Sequence, residues 1–87
     1  DVFSAIVMDT PGVVGYHEIR CRGKPGEAYC DLHIIVDAHI TVREGHDIAE
    51  RVHDRLIREY AGIADVLIHT DPDDGSCVPA DLPTHRR

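Results

Sequence analysis

Polar and apolar residues alternate along the segment GYHEIRCRGK, residues 15–24, with the period of two that is typical of a β-strand. The alternation predicts that one side of this strand carries His17, Ile19 and Cys21. The other side is predicted to carry Tyr16, Glu18, Arg20 and Arg22. A Pro–Gly pair then predicts a turn, and the β-branched and aromatic segment AYCDLHIIVDA, residues 28–38, predicts a second strand. The two strands are expected to form an antiparallel hairpin.

After the hairpin the pattern changes to a helical period. Thr41 and Glu44 have the spacing of a capping box, which predicts a helix from about Val42 to Tyr60, ended by Gly62. The stripe expected to face the core consists of Val42, Gly45, Ala49, Val52, Leu56 and Tyr60, flanked by Ile48. The opposite side of this helix is charged and is expected to face solvent.

Two further elements flank this unit. The segment VFSAIVMDTPGV, residues 2–13, has the pattern of a helix end, with Pro11 and Gly12 as stop signals. The segment ADVLIHTD, residues 64–71, predicts a third strand that ends at Pro72. We therefore expect one folded domain over residues 1–72 and a flexible C-terminal tail, rich in proline, glycine and aspartate, over residues 73–87.

The predicted order of elements is helix, strand, strand, helix, strand. A right-handed crossover between the last two strands predicts an α+β two-layer sandwich, with both helices on one face of a three-stranded sheet. The other face must be solvated or covered by another subunit. A chain of 87 residues buries a limited core, so oligomerisation or a metal would help to stabilise it.

Charge and hydropathy exclude several classes of protein. The formal net charge of -7 argues against nucleic-acid binding, which needs a basic patch. No apolar run is long enough to span a bilayer, and no signal peptide opens the chain. Because the first residue is not methionine, we expect a piece of a longer protein.

Histidine is the candidate chemistry, with seven residues in so short a chain. His69 and Asp71 share a side of the third strand, while His17 and His33 lie on the two hairpin strands. A lone strand histidine is more often hydrogen-bonded than a ligand. However, three histidines and a strand-end aspartate in a three-stranded sheet can converge, and imidazole with carboxylate suits zinc and similar divalent ions.

Other histidines and the cysteines offer alternatives. His46 and His53 lie seven apart on the helix and could hold a metal with Glu50, or could pack beside the core. His39 is expected on the surface. The three cysteines form neither a CxxC motif nor an evident disulfide framework, so reduced thiols are expected. Cys77 is either a free surface thiol or a soft ligand.

The run of residues 10–72 resembles the cytoplasmic C-terminal domain of the cation diffusion facilitator, or cation efflux, family of metal transporters. The resemblance rests on four motifs taken together: GYHEIR, DLHIIVD, EGHDIAERV and IHTDP. It implies a metallochaperone-like, ferredoxin-like fold without a CxxC loop. It also implies a V-shaped homodimer on the cytoplasmic face of a membrane, joined to a transmembrane domain that is absent from this sequence.

The resemblance further implies a regulatory metal site near the subunit interface. The implied ligands are His17, His33, His46, His69 and Asp71. Zinc is the favoured ion, and iron, manganese, cadmium, cobalt and nickel are the alternatives within the family. Metal binding would close the dimer and activate transport, without catalysis by this domain.

Two other functions fit the same residues. One is a freestanding soluble metal carrier or buffer with this fold. The other is a small enzyme with a histidine–aspartate metal centre, such as a hydrolase, in which the metal would keep an open position for an activated water. The sequence has no Ser/His/Asp set, glycine-rich phosphate loop or nucleophile elbow that would favour an enzyme.

Overall fold

The computed structural model describes residues 2–73 and contains two helices and one three-stranded sheet. The elements are α1 (Val2–Met8), β1 (Gly15–Lys24), β2 (Glu27–Asp37), α2 (Val42–Glu59) and β3 (Ile63–Asp73). Strand β2 lies in the middle, antiparallel to β1 and parallel to β3. The predicted α+β sandwich and its element order are confirmed. Neither of these helices is long and apolar enough to cross a bilayer.

The core lies between the sheet and the two helices. Alternate residues of β2 face the helices and are buried: Cys30, Leu32, Ile34 and Val36. They pack with buried side chains of α1, α2 and β3: Phe3, Ile6, Val7, Ile48, Val52, Leu56 and Val66. Burying each large aliphatic side chain contributes about 1.5–3 kcal/mol, so this single layer supplies most of the driving force for folding.

Helix α2 begins as predicted. Glu44 N–H donates to the Thr41 hydroxyl at 3.0 Å, and Thr41 N–H donates to the Glu44 carboxylate at 2.8 Å, which completes the capping box. The expected core position of Val42 is wrong, because its side chain is 91% exposed. Val42 lies in the first turn of α2, at the rim of a cavity of about 420 Å³ between this helix and the ends of β2 and β3.

Strand β1 contains a β-bulge that the alternation did not predict. His17 pairs with His33 and Arg20 pairs with Asp31, so two residues of β1, Glu18 and Ile19, oppose a single residue of β2. The backbone of Glu18 has a φ of 56°. The extra residue reverses the sidedness of the strand beyond it. The predicted grouping of His17 with Ile19 and Cys21 is therefore wrong: His17 faces away from the helices, whereas Ile19 packs against the core.

The bulge also explains a disulfide bond. Beyond it, Cys21 is directly opposite the buried Cys30, and the two sulfurs are bonded. The expectation of reduced thiols is wrong for this pair. It rested on the number and spacing of the cysteines, which do not reveal that Cys21 and Cys30 lie opposite each other on paired strands. Cys77 lies outside the described residues.

The disulfide makes a direct prediction about thiol content. When the unfolded chain is titrated with and without prior reduction, the two results should differ by two thiols, those of Cys21 and Cys30. Because the bond closes a short loop, its reduction should lower the free energy of unfolding by about 2–3 kcal/mol. Urea unfolding with and without reductant measures this difference. A Cys21→Ala/Cys30→Ala variant should be insensitive to reductant, and three free thiols in the untreated chain would contradict the bond.

Strand β3 continues past the predicted end. Pro72 pairs with Val36, and the strand ends at Asp73 rather than at Pro72. A proline is tolerated here because β3 is an edge strand, bonded to β2 on one side only. The predicted flexible tail falls, apart from Asp73, outside the described residues.

His53 connects α2 to β3 through hydrogen bonds. One interpretation of the sequence expected its ring to pack beside the core instead. Its Nε2 lies 2.9 Å from a carboxylate oxygen of Asp65, and its Nδ1 lies 3.1 Å from one of Asp54. The hydrogen bond to Asp65, and then that to Asp54, raises the pKa of His53 above its ordinary value. The hydrogen bond from His53 correspondingly lowers the pKa of Asp65.

The raised pKa predicts how this tie depends on pH. The folded protein binds the His53 proton more tightly than the unfolded chain, so the stabilisation is complete below about pH 6.5 and is lost as pH rises through the raised pKa. Asp65→Asn keeps the oxygen that accepts from the Val66 N–H. It should lower the melting temperature more at about pH 5.5 than at about pH 8.5, measured with a chelator present. Equal losses at both pH values would contradict a charged tie.

Candidate metal centre

Three histidines form a row across the face of the sheet that no helix covers. His17 pairs with His33 across β1 and β2, and His33 pairs with His69 across β2 and β3. The rings of His33 and His69 are stacked, with centroids 4.5 Å apart, and those of His17 and His33 are 5.1 Å apart and tilted. The paired register of three neighbouring strands therefore brings three imidazoles into contact on this open face.

Asp71 joins two of these histidines. It lies two residues after His69 on β3, so its side chain projects from the same open face. One carboxylate oxygen, Oδ2, lies within hydrogen-bond distance of both imidazoles, 2.9 Å from Nε2 of His17 and 3.0 Å from Nδ1 of His33. Burial on its own raises the pKa of Asp71, but the hydrogen bonds from His33 and His17 outweigh burial and lower it. The carboxylate is therefore held in its charged form.

The three groups fit a divalent cation. The ligand atoms of His17, His33 and Asp71 all lie within 4.8 Å of one another, and this is the one such cluster of three or more among residues 2–73. A tetrahedral zinc ion with bonds of about 2.0–2.1 Å separates its ligands by about 3.3 Å. The separations of 2.9 and 3.0 Å join Asp71 Oδ2 to the two imidazoles and would need to widen by only a few tenths of an ångström. The two imidazole nitrogens lie within 4.8 Å of each other. The side chains are 29–39% exposed, so an ion could reach them from solvent.

The other two predicted ligands lie outside this cluster within a single chain. His69 contributes its stacked ring rather than a nitrogen close to the others. His46 lies on α2, where its Nε2 is 3.4 Å from the Glu50 carboxylate and its side chain is 66% exposed. It lines the cavity on the helix side of the sheet, opposite the face that carries the histidine row. His39 is exposed, as expected.

Glu18 is a residue of this site that the sequence interpretation missed. Its carboxylate oxygen Oε1 lies 3.5 Å from Nε2 of His33, on the open face. Strict alternation placed Glu18 on the side of β1 opposite His17, and only the bulge brings both near His33. A carboxylate next to a histidine in the sequence was the available signal, but it does not reveal a bulge.

Similar proteins include bacterial efflux pumps. The cation-efflux pumps FieF of Yersinia pestis (strain Pestoides F) and of Yersinia pseudotuberculosis serotype O:3 (strain YPIII) are each 38% identical to this chain over 80 residues. The alignment covers 92% of this chain and 26% of either pump, so the chain spans about a quarter of the length of these relatives.

Solved structures show the same fold. A MamM CTD is 24% identical with a TM-score of 0.76, over 80% of this chain and 89% of that one. The nickel form of a MamM CTD variant has the same identity, TM-score and coverage. Residues 2–73 match the family described as cation efflux protein, cytoplasmic domain. Since that match covers most of the sequence, the chain belongs to the family of cation efflux protein cytoplasmic domains.

Proposed function

We propose that this chain is the metal-sensing regulatory domain of a divalent-cation efflux transporter. The domain binds zinc or a similar ion on the open face of its sheet, at the cleft of a homodimer, and closure of the dimer activates transport. The family of the chain supports the link to transport. Its similarity to efflux pumps, of whose length it spans about one quarter, supports the same link. The observation that carries the metal-binding role is the shared acceptor Asp71, with its two imidazole partners.

The chemistry of the cluster favours a divalent transition metal over a hard cation. Two imidazole nitrogens and one carboxylate oxygen are the ligand types that zinc prefers, whereas calcium and magnesium prefer all-oxygen sites. A change of side-chain rotamer would let His69 complete the set, and the stacking of its ring on that of His33 supports this. His46 could join only from a second copy of the chain, since it lies on the helix side of its own sheet.

Charge explains why an ion would favour closure. The chain carries a formal net charge of -7, so two copies repel as their open faces approach. A bound divalent cation supplies positive charge at the place where carboxylates such as Asp71 and Glu18 would otherwise face their counterparts. Exposed apolar side chains of the same face, Tyr29 at 52% and Leu67 at 58%, are available for contact in the closed form.

The domain then acts as a two-state element whose equilibrium depends on the metal. An ion that binds the closed dimer better than the open one by about 1–3 kcal/mol would shift the populations usefully. The membrane part of the transporter would sense the spacing of the two domains rather than the ion itself. In this way a rise in cytosolic metal would promote its own export.

Substitution of the cluster residues tests the site. Zinc binding should be weakened by about 10-fold or more by each of four substitutions: His17→Ala, His33→Ala, His69→Ala and Asp71→Ala. Loss of a residue that only supports a metal ligand already lowers metal affinity by about 10–100-fold. Isothermal titration calorimetry of the 87-residue chain measures the affinity. His39→Ala and His53→Ala are matched controls that remove an imidazole elsewhere and should change the affinity little. A loss for His53→Ala equal to that for His69→Ala would instead place the site on α2.

Proton competition gives a second test. An imidazole must be neutral to bind a metal, and ordinary histidine is protonated below about pH 6.5. Zinc should therefore raise the melting temperature strongly at about pH 8 and weakly at about pH 5.5. Differential scanning fluorimetry with and without zinc measures both shifts, and the Asp71→Ala variant supplies the baseline. Equal shifts at the two pH values would show that histidines are not the ligands.

A further inference from the structure

His33 lies between two carboxylates, one beside each of its ring nitrogens. Its Nδ1 is 3.0 Å from Oδ2 of Asp71, and its Nε2 is 3.5 Å from Oε1 of Glu18. A neutral imidazole carries one hydrogen, so it can donate to only one of these two acceptors at a time. The position of that hydrogen decides which nitrogen keeps a free lone pair.

The two tautomers differ in their ability to bind a metal. Nδ1 is the nitrogen of His33 that faces the cluster with His17 and Asp71. When Asp71 accepts a hydrogen bond from Nδ1–H, this nitrogen has no lone pair to offer. Binding therefore needs the hydrogen on Nε2, where a carboxylate that accepts it would stabilise the tautomer and raise the basicity of Nδ1.

Glu18 is placed to be that carboxylate. At 3.5 Å its contact is longer than a hydrogen bond, so in this state it acts through its charge, and a small side-chain rotation would close the gap. Within residues 2–73, His33 is its one ionic partner, and the Glu18 side chain is 55% exposed. Nothing in the packing of the core requires a glutamate at this position.

The backbone of Glu18 gives an independent reason to look for a role. Its φ of 56° lies in the left-handed region, which glycine adopts freely and a glutamate adopts at a cost. Residues held in such conformations concentrate at functional sites. At this position of the bulge the chain has a glutamate, although the backbone conformation alone would favour a glycine.

We propose that Glu18 is a positioning residue that stabilises the Nε2–H tautomer of His33 and so leaves Nδ1 free for the metal. This role rests on the proposed metal-binding function. Glu18 is not itself a ligand; it acts through His33.

The tautomer can be measured without metal. Long-range proton–nitrogen spectra of the 15N-labelled chain at about pH 8, where ordinary histidine is neutral, distinguish the protonated from the bare ring nitrogen. Glu18→Gln keeps the size of the side chain and removes its charge. The fraction of His33 with its hydrogen on Nε2 should fall in this variant. Glu27→Gln, which removes an exposed carboxylate paired with Lys24, is the control for net charge and should leave the fraction unchanged.

Zinc affinity and thermal stability give two further readouts. Glu18→Gln and Glu18→Gly should each weaken zinc binding by about 10-fold, the lower end of the range for a partner one step removed from an ion. Glu18→Gly should melt no lower than the original chain, because glycine suits a φ of 56°. Weaker binding without lower stability separates positioning of His33 from a purely structural role of the bulge.

The outcomes separate this inference from the proposed function. If Glu18→Gln leaves both the His33 tautomer and the zinc affinity unchanged while Asp71→Ala abolishes binding, the inference fails and the metal site stands. If the original chain binds no zinc, the proposed function fails, and the metal-free spectra alone decide whether Glu18 sets the tautomer. Spectra of the zinc-loaded chain that show Nε2 of His33 bound to the ion would also overturn the inference.

Discussion

Strand β2 is hydrogen-bonded to a neighbouring strand on each side, and its two faces lie in different environments. Toward the helices it presents Cys30, Leu32, Ile34 and Val36, all at most 4% exposed, and between them it presents His33 to the open face. A slip of one residue in either pairing would exchange these faces and expose the core. The apolar residues that fix the register on one side therefore also fix where the imidazole points on the other.

This coupling explains why parts of the site were predictable from the sequence. The spacing of His69 and Asp71 at the end of a strand required only the period of two, and the structure has them on one face, as that period predicts. The capping box of α2 depends on local hydrogen bonds between Thr41 and Glu44, so the start of that helix could also be predicted. His33 could be singled out because it lies between the apolar residues Leu32 and Ile34.

Most of the features that the sequence did not predict depend on one non-local feature. The bulge at Glu18 arises where β1 must match β2, and no glycine marks the left-handed position in the sequence. The sidedness of β1, the bond between Cys21 and Cys30 and the contact of Glu18 with His33 all follow from that extra residue. Val42 was misplaced for a different reason, because a periodic stripe does not show how far along a helix its neighbours extend.

The edge position of Pro72 has a consequence for how copies of this domain can associate. One edge strand carries basic side chains at Arg20, Arg22 and Lys24, and the other carries Asp65, Asp71 and Asp73, so opposite edges attract. Such attraction would favour continuous addition of one sheet to the next, which is a route to fibrous aggregates. Pro72 has no N–H to offer an incoming strand, so the ladder of an added strand would lack a donor at this end of β3. The proline therefore disfavours polymerisation of the domain through this edge of the sheet.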